Sequence, residues 1–228
     1  MSRVFFYPDN SKYVLFTDHV LAHMYSYAQR RFWQKEAGGE IFSPEPDSHG
    51  LIISNAMGPN PADQRRRHAW NPDVKASDMN RQSEFEQYRH AVGLWHTHPE
   101  STPSPSWRDQ KTTWDYLDAF EGDRSRYFMV IIGNRGSTPA MTVWVASGES
   151  SRDWIQLSED KSRTQVDNPK KGDTNVLQPK QVAFREVMPS GGILRSDPEP
   201  KVARLGAQDR CDYYSSLTER ARVGREVK

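Results

Sequence analysis

The chain has only one cysteine, Cys211, among its 228 residues. A single cysteine cannot form a disulfide within the chain, and it cannot supply the sulfur ligands of a closed zinc site. Charge of one sign is also lacking, since the formal net charge is +1. The sequence therefore favours a reducing compartment, the cytoplasm, and gives no electrostatic reason to expect nucleic acid or a membrane as a partner.

Long hydrophobic runs are absent as well. No apolar stretch of the sequence approaches the length needed to span a membrane. Residues 1–8 are too short and too aromatic for a signal peptide. A chain of this length is expected to form one domain with a sizeable core plus an appendage.

Apolar runs and turn residues predict a mixed α/β chain. Strands are predicted at 4–7, 13–16, 36–43, 50–55, 91–95, 127–133 and 140–145, and helices at about 18–34, 72–90 and 106–122. We expect the fourth of these strands to be the hairpin partner of the third. The run at 127–133 is expected to be a central strand, and all elements are expected to surround one sheet.

The composition changes after residue 148. Residues 150–175 are polar and charged, and the later apolar residues are scattered. A short helix-like segment opens at Tyr213 and Tyr214 and extends to Arg222. We therefore divide the chain into a domain at 1–148 and a polar extension at 149–228 that is partly disordered or docks on a partner.

The most informative stretch is the sequence around two closely spaced histidines. His96 and His98 would project from the same face of a strand, because strand side chains alternate with period two. Ser106 is a good N-cap for a following helix, and Asp109 would lie in its first turn on nearly the same face. Two imidazoles, one aspartate and an open position match the ligand count of a catalytic zinc site.

This spacing resembles the motif of the JAMM (JAB/MPN+) metallopeptidases, in particular the bacterial members that are similar to deubiquitinating enzymes. The matching residues are His96-x-His98-Pro99 followed by Ser106-x-x-Asp109. The resemblance covers roughly residues 10–147. It implies a JAB/MPN-type, cytidine-deaminase-like α/β fold with a central mixed sheet flanked by helices.

The resemblance also implies a glutamate that faces the metal. In the family pattern this residue lies two positions before a glycine, which corresponds to Glu36 in Glu36-Ala37-Gly38-Gly39. Glu40 would share a face with Glu36 in a regular strand and is the competing candidate. Glu36→Gln should keep zinc and abolish cleavage, while Glu40→Gln should be mild.

By this resemblance the chain is a zinc-dependent isopeptidase. His96, His98 and Asp109 would hold Zn²⁺, Glu36 would be the general base, and the Ser106 hydroxyl would stabilise the oxyanion. The implied substrate is a ubiquitin-like protein or its conjugates in a bacterial conjugation or anti-phage system, with activating and conjugating enzymes as further partners. The alternative is a binding or scaffold module of such a system with a structural metal.

Two further groups of residues have competing interpretations. Arg65 and Arg67 would lie on one face of an extended segment and could bind a substrate strand, although a solvated charge cluster is an equal alternative. His19 and His23 lie four residues apart on a predicted helix. No glutamate stands between them in the arrangement of a zincin site, so a structural role is favoured over metal binding.

Overall fold

The structure is a computed structural model that describes residues 2–120, 124–148 and 152–160. Along these residues the elements are β1 (Arg3–Phe6), β2 (Tyr13–Phe16), α1 (Asp18–Ser26), β3 (Gly38–Ser43), β4 (Gly50–Ile53), β5 (Asn55–Met57), β6 (Gln64–Arg66), β7 (Ala69–Asn71), α2 (Val74–Glu86), β8 (His90–Thr97), α3 (Trp107–Ala119), β9 (Arg126–Ile132), β10 (Met141–Ser147), β11 (Asp153–Gln156) and β12 (Ser158–Glu159). None of the described helices has the length and apolar character required to cross a membrane.

The larger sheet is mixed and has six strands in the order β11-β10-β9-β8-β3-β5. β8 and β9 run parallel, while the other neighbouring strands are antiparallel. All seven residues of β9 are buried, as expected for a strand covered on both faces. The predicted central strand is confirmed, and the parallel β8–β9 pair places the ends of both strands beside the metal motif.

A second sheet has the order β12-β1-β2-β4, and with α1 it covers one face of the larger sheet. The resulting core includes Phe5, Phe16, Met24, Ile53, Trp95, Phe128 and Val130. On the other face, α3 packs on β8 and β9 through a second cluster that includes Leu94, Trp114, Leu117, Phe120, Tyr127 and Met129. The mixed α/β architecture is confirmed, but the prediction of one sheet is wrong.

The predicted hairpin between the third and fourth strands is also wrong. β4 pairs in parallel with β2, with Leu51 opposite Val14. The partner of β3 is instead β5, with Ala56 opposite Ile41. The chain passes from one sheet to the other at Ser54. Periodicity cannot show this, because each strand is too short for its pattern to identify the sheet that it joins.

The first helix is shorter than predicted, since α1 ends at Ser26 and not near residue 34. Tyr27 closes the helix, and the chain then runs irregularly to β3. Phe32 appeared to continue the apolar stripe, but its side chain is 76% exposed. Tertiary hydrogen bonds override the helical pattern here, because the buried side chain of Gln29 bonds to backbone carbonyls of Gln34 and Arg67.

The other two helices begin as predicted and end earlier. The Asp73 side chain accepts hydrogen bonds from the first turn of α2, and Ser106 is the N-cap of α3. α2 ends at Glu86, before Tyr88, which has a left-handed backbone with φ of 57°. α3 ends at Ala119 with Phe120 as its C-cap, before the expected end near residue 122.

Two strands follow residue 148. β11 pairs with β10, and β12 pairs with β1, so residues 153–159 add to both sheets. The division of the chain at 148 stays a prediction. The expected helix at 213–222 and the rest of 161–228 lie outside the described residues.

Candidate metal centre

The two histidines of the motif meet at the end of β8. His96 is the penultimate residue of the strand, and His98 follows it, with its N–H donating to the Ile132 carbonyl of β9 at 2.9 Å. The Nε2 atoms of His96 and His98 lie 2.9 Å apart. The alternation that the sequence predicted therefore brings both imidazoles to one point.

The first turn of α3 brings Asp109 to the same point. A capping box fixes this turn, because Ser106 Oγ accepts the Asp109 N–H at 3.3 Å and Asp109 Oδ2 accepts the Ser106 N–H at 2.6 Å. Asp109 Oδ1 is 3.4 Å from His96 Nε2, and Asp109 Oδ2 is 3.7 Å from His98 Nε2. The cap thus orients the carboxylate toward both rings.

These three side chains fit a tetrahedral metal ion. Each offers one ligand atom, and these atoms lie within 4.8 Å of one another. Zinc bonds of about 2.0–2.1 Å place tetrahedral ligand atoms roughly 3.3–3.4 Å apart. The separations of 3.4 Å and 3.7 Å from Asp109 are close to this value, and the two Nε2 atoms, 2.9 Å apart, are somewhat closer. Burial lowers the pKa of His96 to about 4, so its ring is neutral at pH 7 and can offer a lone pair.

Glu36 lies two residues before the start of β3 and lines the same cavity as the three donors. Its backbone is held on both sides, because its N–H donates to the Arg66 carbonyl at 2.8 Å and its carbonyl accepts from Arg65 Nε at 2.6 Å. Burial raises the pKa of Glu36 to about 8, and the negative charges of Asp109 and Glu100 contribute. Glu36 is therefore a carboxyl that is able to hold a proton near neutral pH.

Glu40, the competing carboxylate, has a different environment. It is fully enclosed and accepts a hydrogen bond from Arg81 Nη1 of α2 at 2.6 Å. Although burial raises the pKa of Glu40, the charge of Arg81 opposes this effect. Because its carboxylate is engaged by α2 and does not line the cavity, the geometry distinguishes Glu40 from Glu36.

The cavity has a volume of about 580 Å³. One wall is α3, with Ser106 exposed at its N-terminus, and Leu94 and Met129 form an apolar part. Another part of the lining is β7 with the residues on either side of it, His68 and Pro72. The Trp70 ring lies so close to Gly38 that a Cβ there would come within 2.7 Å of Trp70 Cε3.

Sequence reasoning missed the hairpin formed by β6 and β7. Residues 64–71 read Gln-Arg-Arg-Arg-His-Ala-Trp-Asn and show no apolar alternation that would have predicted it. Arg65 donates to the carbonyls of Glu36 and Lys35, and Arg67 donates to those of Phe32 and Arg31. Both guanidinium groups thus bond to the chain before β3, and their binding of substrate stays a prediction.

The second histidine pair contacts backbone carbonyls. His19 Nε2 lies 2.6 Å from the Ser54 carbonyl oxygen, and His23 Nε2 lies 2.7 Å from that of Gly58. The His23 ring also packs edge-on against Trp95. Both Nε2 atoms are thus engaged by backbone carbonyls, and the structural interpretation of this pair stays a prediction.

Comparison with known proteins adds independent findings. The family described as prokaryotic homologues of the JAB domain matches residues 17–147. A CD-NTase/cGAS isopeptidase of Escherichia coli (strain TW11681) is 30% identical over 118 residues, which cover 49% of this chain and 73% of that protein. A protein of the same name from Pseudomonas aeruginosa (strain BWHPSA011 / Pa011) is 28% identical over 128 residues, covering 55% and 80%.

Among solved structures, the solution structure of a protein from Desulfitobacterium hafniense is similar with a TM-score of 0.45 and 16% identity. The similarity covers 64% of this chain and 88% of that one.

Proposed function

Since the chain belongs to the family of prokaryotic JAB homologues, we propose that it is a zinc-dependent isopeptidase. Its substrate in this proposal is the amide bond that follows the C-terminus of a ubiquitin-like protein, in a precursor or in a conjugate. The observation that carries the proposal is the convergence of His96, His98 and Asp109 in the cavity that Glu36 lines. The names of the two relatives, both called isopeptidases, support the reaction class.

The three donors would hold Zn²⁺ and leave one coordination position open to the cavity. Zinc with three protein ligands supplies Lewis acidity and activates water near neutral pH. His96 contributes a neutral ring, and the capping box prevents Asp109 from rotating away. The protein thus holds the three donor side chains in place before the substrate binds.

Glu36 moves the protons in this mechanism. As general base it accepts a proton from the attacking water, and it later donates that proton to the leaving amine. A zinc ion held by the three donors would favour the ionised form of the Glu36 carboxyl. Burial and the negative charge of Asp109 favour its protonated form. These opposing influences suit a carboxyl that must both take up and release a proton at neutral pH.

Ser106 would stabilise the developing oxyanion. Its Oγ already accepts the Asp109 N–H, so its own O–H remains able to donate. The side chain is exposed and lines the cavity beside Asp109. A donor so placed favours the tetrahedral state over the planar amide.

The proposal also includes the compartment and the partner proteins. The protein would act in the cytoplasm on a ubiquitin-like protein or its conjugates, alongside activating and conjugating enzymes of the same system. Because both relatives are named CD-NTase/cGAS isopeptidases, the proposal includes a CD-NTase/cGAS protein as a candidate conjugated target. Arg65 and Arg67 already donate hydrogen bonds to backbone carbonyls of this chain. In the proposal they bind the substrate strand through the guanidinium N–H groups that these bonds leave unused.

The test uses fusions of ubiquitin-like proteins to a reporter, chosen from genes that neighbour this one. We expect cleavage after the C-terminal residue of the ubiquitin-like part, loss of cleavage with a chelator and recovery with Zn²⁺. Asp109→Asn should abolish both zinc binding and cleavage. A chain that binds zinc but cleaves none of the fusions would instead support the binding or scaffold module.

A further inference from the structure

Thr97, the residue between the two histidines, has no exposed surface. Because strand side chains alternate, it points to the face opposite the two imidazoles. Its hydroxyl accepts the Ala37 N–H at 3.0 Å, and its own N–H donates to the Ala37 carbonyl at 2.8 Å. Thr97 therefore binds both polar backbone groups of the residue that follows Glu36.

This pairing departs from the regular ladder between β3 and β8. Opposite residues in an antiparallel hydrogen-bonded pair exchange two backbone bonds. Thr97 and Ala37 exchange one backbone bond, and the second goes to a side-chain hydroxyl. The regular pairing of β3 with β8 begins at Gly38, which lies opposite His96. The Thr97 hydroxyl binds the Ala37 N–H just before this pair, and it therefore fixes where the chain leaves the sheet toward Glu36.

Gln29 ties this point to the cavity wall. Its side chain is only 1% exposed, and its Oε1 accepts a hydrogen bond from the Thr97 hydroxyl at 3.3 Å. Its Nε2 donates to the Arg67 carbonyl at 2.8 Å and to the Gln34 carbonyl at 3.1 Å. Removal of either side chain would leave buried polar groups unpaired, which is costly and favours movement of the segment.

We propose that Thr97 and Gln29 are positioning residues that hold the Glu36 carboxylate at a fixed place beside His96 and His98. The inference rests on the proposed role of Glu36 as general base. Thr97 acts on Glu36 through the Ala37 backbone, and Gln29 acts by orienting the Thr97 hydroxyl. A misplacement of about 1 Å in a catalytic group can cost on the order of 100-fold in rate.

The decisive variant is Thr97→Val, which keeps the shape and β-branching of threonine and removes its hydroxyl. We expect kcat for the fusion substrate to fall by about 10- to 100-fold, with KM and zinc content unchanged. Thr97→Ser restores the hydroxyl and should recover kcat to within about 3-fold of wild type. Thr17→Val is the matched control, because it removes a hydroxyl bond to the Ile53 carbonyl outside the cavity and should leave kcat unchanged.

A second readout is independent of activity. In zinc-free protein, Thr97→Val should speed hydrogen exchange at the Ala37 amide by about 10-fold or more, because this N–H loses its acceptor, while Thr17→Val should not. If wild type cleaves nothing, the proposed function fails, and the exchange measurement still reports whether the Thr97 contact holds the segment. Accelerated exchange together with unchanged kcat in an active enzyme would overturn the positioning role alone.

Gln29→Met provides the same test from outside β8. It removes the acceptor of the Thr97 hydroxyl, and we expect a smaller fall in kcat with zinc content preserved. A loss of zinc in either variant would contradict the proposal, since it assigns these residues to Glu36 and not to the metal. If neither Thr97→Val nor Gln29→Met folds, the network serves stability and the positioning role is overturned.

Discussion

Glu36 and Glu40 are four residues apart, yet their surroundings give them different chemistry. Glu36 lines the cavity near Asp109 and Glu100, and both negative charges disfavour its ionisation. Glu40 faces Arg81, whose positive charge favours ionisation of its carboxylate. Burial raises the pKa of both carboxyls, but only Glu36 lines the cavity, which is why the proposal assigns the proton transfer to Glu36.

The first prediction compares the two carboxylates. Glu36→Gln should retain zinc and reduce kcat by about 10²–10⁴-fold, because a general acid–base contributes roughly that factor. Glu40→Gln should leave kcat nearly unchanged in the folded fraction. Zinc analysis and steady-state cleavage of a ubiquitin-like fusion measure both, and the opposite pattern would show that the wrong carboxylate has been assigned.

The second prediction concerns pH in zinc-free protein. The pKa of Glu36 is raised from its ordinary value of 4.5 to about 8, so the folded chain binds a proton there that the unfolded chain releases. This contribution to stability is complete below pH 4.5 and is lost as the pH rises toward 8. The glutamine of Glu36→Gln cannot ionise, so the variant does not lose this stability. It should be more stable than wild type at pH 8 by about 1–4 kcal/mol, and the stabilities of the two proteins should differ less at pH 5.

Urea denaturation of both zinc-free proteins at the two pH values measures this difference. The lowered pKa of His96 makes stability rise with pH, which is opposite to the effect of Glu36. Because wild type and variant both contain His96, its contribution cancels in the comparison. Equal stability at pH 8 would show that the Glu36 carboxyl is not held in the cavity as described.

The third prediction concerns Ser106. Ser106→Ala should lower kcat by about 10²–10³-fold, as loss of an oxyanion donor does, with zinc retained. It should also cost about 1 kcal/mol of stability, because the N-cap of α3 is lost. Ser106→Thr keeps a hydroxyl cap and is the control, and full activity of the alanine variant would exclude the oxyanion role.

At the scale of elements, α2 is attached to the sheet by polar contacts. Its buried side chains are Ser77, Arg81 and Glu84, and Arg81 bonds to Glu40 of β3. A buried ion pair contributes little net stability, but removal of one partner leaves an uncompensated charge. The pair therefore fixes where α2 packs more than it stabilises the fold.

The fourth prediction follows from this pair. Arg81→Met should destabilise the protein by about 3–5 kcal/mol, whereas the double variant Arg81→Met with Glu40→Leu should be close to wild type. Thermal or urea unfolding of the two variants distinguishes them. If the double variant were as unstable as the single one, the cost would come from lost packing of α2 or from the lost contact between Arg81 and Asp78, and not from the charge of Glu40.

The elements around the metal centre were the most predictable part of the chain. Strand alternation placed His96 and His98 together, and the capping preference of Ser106 set the start of α3 and the direction of Asp109. These are local rules that need only neighbouring residues. The end of α1 was not predictable, because the bonds of Gln29 come from residues distant in sequence.

For the whole molecule, the mixed α/β class followed from the sequence, but the division into two main sheets did not. Ser54 and Asn55 interrupt the apolar residues between β4 and β5, but only the partner strands show that the two strands join different sheets. The roles of Arg65 and Thr97 were hidden for the same reason. Their contacts are to backbone carbonyls and amides of segments far along the chain, which side-chain patterns do not reveal.

The central claim is that His96, His98 and Asp109 together bind one zinc ion. The most direct test is the zinc content of purified wild type, His98→Gln, Asp109→Asn and Glu36→Gln, measured after dialysis against metal-free buffer. We predict about one zinc per chain in wild type and Glu36→Gln, and a large loss in the other two. Wild type without stoichiometric zinc, or a zinc content that the His98 and Asp109 variants do not change, would contradict the account.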